Sequence, residues 1–157
     1  MFAHSFPRAF PFGRTIFFAA ALLALSLAPS FAAIEFKNVF TGEPLDLKPL
    51  PNETITDAVK QFQETGENPY DGNADAIAAG KELYNTNCQV CHGAQGEGRM
   101  GVSLIDDKYS YPQVATDVGM FEAIFGGAAG AMASFHNRGM FQDDMLKIIA
   151  YVHSLKQ

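Results

Sequence analysis

Apolar residues recur at helical spacing in four stretches of this chain, and strand-type alternation lasts nowhere long enough to indicate a sheet. In "TITDAVKQFQETG", Ala58, Val59 and Phe62 form a stripe, with Thr56 placed to cap it and Gly66 to stop it. In "ADAIAAGKELYNTNCQVCHG", Ile77, Gly80, Leu83 and Tyr84 share one face, and Asp75 is the predicted cap. A glycine inside a helix costs about 1 kcal/mol against alanine, so Gly80 predicts another backbone pressed close. The third stretch, "TDVGMFEAIFGG", starts at a Thr116 cap and ends at Gly126 and Gly127. The fourth, "QDDMLKIIAYVHSLKQ", carries Met145, Ile148, Ile149, Val152 and Leu155 in a stripe, with Asp143 and Asp144 where a helix dipole favours negative charge.

The segments between these helices are long for so small a chain. "IEFKNVFTGEPLDLKPLPNE" reads as an irregular arm, and "GAQGEGRMGVSLIDDKYSYPQ" and "AAGAMASFHNRGMF" are glycine-rich loops. Loops of this length inside a compact domain usually serve a function. The chain has no tryptophan and few bulky residues between 86 and 110. A mostly helical domain built this way needs a staple or a ligand to complete its core.

The first residues have a different character. Arg8 and Arg14 precede an apolar run from Ile16 to Leu25, and small residues follow, ending "SFAA". This is the pattern of a secretory signal peptide over residues 1–32, cleaved after Ala32 or Ala33. The run is shorter than the ~20 residues of a membrane span, so stable membrane insertion is not expected, and export predicts a periplasmic protein. Cleavage would remove Arg8 and Arg14 and no acid, taking the formal charge from −6 to −8. Such a balance excludes binding nucleic acid by phosphate neutralisation and suits electrostatic steering towards a basic partner.

Both cysteines lie in "CQVCHG", with His92 directly after the second. Four chemistries use such residues. Zinc wants four ligands, and the chain offers few more histidines and no second cysteine pair. A thiol redox couple belongs at the start of a helix, where the dipole lowers the thiol pKa, whereas Cys88 and Cys91 sit at a helix end. A disulfide across two residues closes too small a loop to stabilise much, and it leaves His92 unexplained. Covalent haem uses all three residues: C-x-x-C-H ties the porphyrin through two thioethers and presents an imidazole to the iron. It also supplies the missing core.

The ligand on the other side of the iron would decide between electron transfer and chemistry at an open site. Met145 and Met120 belong to helix stripes, and Met100 is close in sequence to His92. Met132 and Met140 lie in the loop after the third helix, and His136 is a rival from the same loop. Arg99, Tyr109 and Tyr111 are candidates to hold haem propionates.

The pieces "NVFTGEPLD", "AVKQFQETGENPY", "GKELYNTNCQVCHGAQGEG", "YSYPQVATDVGMFEAIFGGAAGAM" and "DDMLKIIAYVHSL" run through nearly all of the chain after the signal. In them the sequence resembles the class I c-type cytochromes. More narrowly, it is similar to the cytochrome c-L group, the electron acceptors of pyrroloquinoline-quinone (PQQ)-dependent methanol dehydrogenases in methylotrophs. The resemblance implies an all-α class I cytochrome c fold, its N- and C-terminal helices crossed around one covalent haem c, with residues 33–74 as arm and short helix and 75–157 as haem domain. It implies Met132 as the distal ligand, with Met140 or His136 as alternatives, and a close helix crossing at Gly80 and Tyr151. Where many relatives have a proline after "CH", this chain has Val102, whose carbonyl must then take the proximal histidine's ring N–H. The group can also bind calcium near the haem. The function implied is transfer of single electrons from the dehydrogenase to a downstream cytochrome c or terminal oxidase, with no enzymatic step. The alternatives are a general soluble electron carrier, or a haem enzyme or gas sensor with an open sixth site.

Overall fold

The computed structural model describes Met1, residues 33–106 and residues 108–156. The export signal read over 1–32 therefore lies outside the described residues. Among the described residues five α-helices follow one another: α1 (Asp57–Thr65), α2 (Ala74–Asn87), α3 (Gln89–His92), α4 (Asp117–Gly126) and α5 (Gln142–Ser154). Short 3-10 turns span Pro112–Ala115 and His136–Arg138. The described residues contain no strand; one isolated bridge, Lys37 with Pro44, closes a small turn in the N-terminal arm.

The helix ends obey local chemistry. Thr56 accepts from the Val59 N–H at 3.2 Å and Thr116 from the Gly119 N–H at 3.1 Å, and Gly66 ends α1 at φ 75°. Asp75 does not cap α2. Asn73 does, accepting from the Ala76 N–H at 3.0 Å. The cap therefore lies two positions before the aspartate, and Asp75 falls in the helix's first turn, where its charge complements the dipole.

The axis of the fold is the crossing of α2 and α5. A Cβ built on Gly80 would lie 2.0 Å from the Lys147 carbonyl oxygen, so only glycine lets the two backbones meet there. The partner expected for Gly80 was Tyr151. Instead the backbone at Lys147 and Ile148 faces Gly80, and Tyr151 packs edge-on against Tyr84, ring centroids 5.2 Å apart. Met145, Leu146, Ile149 and Val152 of α5 are fully or almost fully buried. The helix is enclosed on more than the predicted stripe, because Ala150 and Tyr151 are buried as well.

On the other side of α5, Phe36 from the arm, Phe62 of α1 and Phe121 of α4 form an aromatic triangle with centroids 5.0–5.7 Å apart. Arm and helices thus share one core. The segment "GENPYDGN" ties α1 to α5 along its length. Asn68 donates to the Leu146 carbonyl, Tyr70 to the Asp143 carboxylate, and Asp71 meets His153. A motif rich in turn residues is here a three-point brace.

Candidate functional site

Helix α2, capped by Asn73, changes direction at Cys88 (φ −117°, ψ −38°) and resumes as α3. The His92 N–H donates to the Cys88 carbonyl at 2.9 Å, so the CxxCH residues share a single turn. Buried Tyr84 fixes the exit, its hydroxyl donating to the Gly93 carbonyl at 2.8 Å. The following loop folds back beneath the histidine: Gly98 N–H donates to the His92 carbonyl at 2.7 Å and Gly101 N–H to the Cys91 carbonyl at 2.8 Å.

This loop sets the imidazole. His92 Nδ1 lies 2.8 Å from the Val102 carbonyl oxygen. A carbonyl can only accept, so Nδ1 carries the proton and Nε2 keeps its lone pair for a metal. Gly101 supports the ring from beside it; a Cβ there would be 2.8 Å from His92 Cε1. Valine therefore does what proline would, with the loop held by its own backbone hydrogen bonds.

Cys88 and Cys91 are free thiols. Burial, with Cys91 beside it, pushes the Cys88 thiol up to about 12. That is opposite to what a thiolate nucleophile or thiolate metal ligand requires.

Cys88, Cys91 and His92 border a cavity of about 410 Å³, within the ~300–1,000 Å³ of ordinary cofactor sites. Its walls come mainly from apolar side chains, among them Leu104, Val114, Met120, Ile124, Ile148 and Val152. The segment after α4 supplies Met132, Phe135 and Met140 to the same cavity. Two thiols, an imidazole with a free nitrogen and thioethers around one apolar space are a donor set that fits haem c.

Tyr109 and Tyr111 border the cavity; Arg99 does not, being exposed with its N–H on the Gly101 carbonyl. The arginine that does is Arg138, whose guanidinium lies 5.0 Å from the Phe135 ring centroid. Both arginines lie in glycine-rich loops, and nothing local in the sequence marks Arg138 over Arg99. His136 does not line the cavity. Its ring stacks on Phe125 at 4.1 Å, and its buried Nδ1 has no hydrogen-bond partner. Met145 is fully buried in the helix core, outside the cavity lining.

Calcium gains no support. The described residues hold one group of carboxylates and imidazole close enough to share an ion, Asp71, Asp117 and His153. These already pair, with His153 Nδ1 2.9 Å from Asp71 and Nε2 3.5 Å from Asp117, and none borders the cavity.

Residues 75–152 match the family model described as cytochrome C oxidase, cbb3-type, subunit III. The chain is 40% identical over 148 residues to cytochrome c-L of Methylorubrum extorquens, covering 86% of this chain and 75% of that protein. The crystal structure of cytochrome cL from Methylophaga aminisulfidivorans superposes with a TM-score of 0.74 at 43% identity, covering 77% of this chain and 80% of the other. That of cytochrome cL from Hyphomicrobium denitrificans gives 0.72 at 44% identity, covering 78% and 73%.

Proposed function

This chain belongs to the cytochrome c-L family, c-type cytochromes that carry electrons on covalent haem c rather than act as enzymes, and we propose that it works in the periplasm as the one-electron acceptor of a PQQ-dependent methanol dehydrogenase. It would pass each electron to a downstream cytochrome c or terminal oxidase. Export rests on the signal pattern of residues 1–32.

Haem c, when bound, supplies the one-electron change at iron. Cys88 and Cys91 are the residues to hold it through thioether links, and His92 Nε2 is the proximal ligand. The Val102 carbonyl holds the Nδ1 proton, fixing the ring's orientation and making Nε2 a better donor. Met132 would supply the second protein donor to the iron; Met140 also borders the cavity, and His136 is turned towards Phe125. With a thioether and an imidazole as its protein donors, the group would have a raised potential. Buried Val114, Met120, Ile124, Ile148 and Val152 give the cavity an apolar wall, which would limit the solvent that must rearrange around the group. Tyr109, Tyr111 and Arg138 border the same cavity and are the groups to meet propionates.

The observation that carries this reading is the convergence of Cys88, Cys91, His92 and Met132 on one apolar cavity, with the histidine tautomer already set. The partner is tested by stopped-flow reduction with purified methanol dehydrogenase. Reduction much faster than that of an unrelated c-type cytochrome is expected, and equal rates would remove the dehydrogenase as the specific donor.

A further inference from the structure

The last four carbonyls of a helix have no partner within it and must find one outside. At the end of α4 three of them, those of Ile124, Phe125 and Gly126, are satisfied by two separate pieces of chain. The segment after Met132 takes two: Phe135 N–H donates to the Ile124 carbonyl at 3.0 Å, and Ser134 Oγ to the Phe125 carbonyl at 2.6 Å. The N-terminal arm takes the next. Asn38 Nδ2 donates to the Gly126 carbonyl at 2.9 Å and reaches the Gly127 carbonyl at 3.4 Å.

The two glycines make this junction possible, each towards a different piece. A Cβ on Gly126 would lie 2.9 Å from Asn38 Nδ2 and from a methyl of Leu45. A Cβ on Gly127, at φ 80°, would lie 2.7 Å from the Met132 carbonyl oxygen and from Ser134 N. The Ala128 N–H then donates back to the Met132 carbonyl at 2.8 Å. Asn38 is itself rigid. Its Oδ1 accepts from the Phe40 and Thr41 N–H groups at 2.9 Å each, and its N–H donates to the Glu43 carbonyl at 2.8 Å. The arm is anchored one residue earlier, where the Lys37 N–H donates to the buried Glu122 carboxylate at 2.6 Å.

We infer that Asn38 is a positioning residue for the distal ligand: the arm, through its amide, clamps the turn at Gly126 and Gly127 and so sets how firmly Met132 is presented to the cavity. This rests on Met132 being the distal ligand. Met132 itself is half-buried in a segment with little packing of its own, so the turn that leads into it is the natural place for control.

Asn38→Asp tests it in the holoprotein. The aspartate keeps an oxygen for the Phe40 and Thr41 N–H groups and sets an acceptor-only carboxylate oxygen against the Gly126 and Gly127 carbonyls in place of the donor. The readouts are carbon monoxide affinity of the reduced protein, intensity of the thioether-to-ferric charge-transfer band, and amide exchange at Ala128 and Phe135. Carbon monoxide affinity should rise by about 2- to 10-fold or more, the lower range being the loss of one hydrogen bond and the excess the repulsion between carboxylate and carbonyls, with a weaker band and faster exchange at both amides. Val59→Ala, a core truncation in α1, is the control for general loosening and should change none of the three. Wild-type values in Asn38→Asp, or equal changes in Val59→Ala, would overturn the assignment. Met132→Ala separates the two levels. If it leaves the band and carbon monoxide affinity unchanged, the ligand reading has failed, whatever Asn38→Asp does to amide exchange.

Discussion

His92 enters the cavity with one ring nitrogen already engaged by the Val102 carbonyl and with Gly101 against its edge. Gly101→Ala would drive a methyl into the ring, and overpacking of this kind costs about 1–3 kcal/mol. The expected result is a lower unfolding midpoint in denaturant together with a changed midpoint potential, since the ring must turn on its hydrogen bond. Asp143 offers a second test at this scale. Burial alone would raise its pKa, but hydrogen bonds from Lys147, Thr56 and Tyr70 outweigh that and hold it below its usual 3.8. A carboxyl more acidic in the folded than in the unfolded chain stabilises above the unfolded value, and that stability is lost as pH falls through the folded one. Asp143→Asn should therefore cost about 1–3 kcal/mol at neutral pH. The gap to wild type should close below about pH 4, as followed by denaturant unfolding at several pH values.

Among the elements, the crossing of α2 and α5 depends most on a single residue. Gly80→Ala would gain about 1 kcal/mol of helix propensity yet set a methyl 2.0 Å from the Lys147 carbonyl oxygen. The net expectation is a loss of about 2 kcal/mol or more, read by thermal or denaturant unfolding; unchanged or higher stability would mean the helices do not meet there. That glycine was legible in advance, because a helix interior tolerates one only for a reason. So were the four helices and four of their caps or stops, at Thr56, Gly66, Thr116 and Gly127, which depend on neighbours in sequence. The cap of α2 was not. Asn73 and Asp75 are chemically equivalent candidates, and the choice rests on where the preceding "NPYDG" turn delivers the chain. The role of the arm was hidden as well. Its contacts to Glu122 and Gly126 span more than eighty residues, and no local pattern in "FKNVFTG" announces them. Nor did the sequence distinguish Arg99 from Arg138 at the cavity, since both lie in glycine-rich loops and only the backbone path separates them.

The molecule as a whole joins an apolar cavity to an acidic chain. Val90, Met100 and Val102 are exposed apolar residues within or beside the segment that borders the cavity, while the formal charge is −6, or −8 without residues 1–32. Attraction between surface charges weakens over about 8 Å at physiological ionic strength. If the donor presents a basic face, the second-order rate of reduction should fall steeply as salt is added, while the first-order electron transfer within the complex stays constant. Stopped-flow measurements across a salt series would show it, and a flat dependence would remove steering from the account. All of this requires that the cavity hold a covalently attached haem. The most direct measurement is the absorption spectrum of protein exported by a host with cytochrome maturation machinery, taken before and after extraction with acidified acetone. A haem spectrum that stays with the chain, and disappears when Cys88 and Cys91 are both replaced by alanine, is the predicted result. Colourless protein, or pigment that leaves with the solvent, would contradict it.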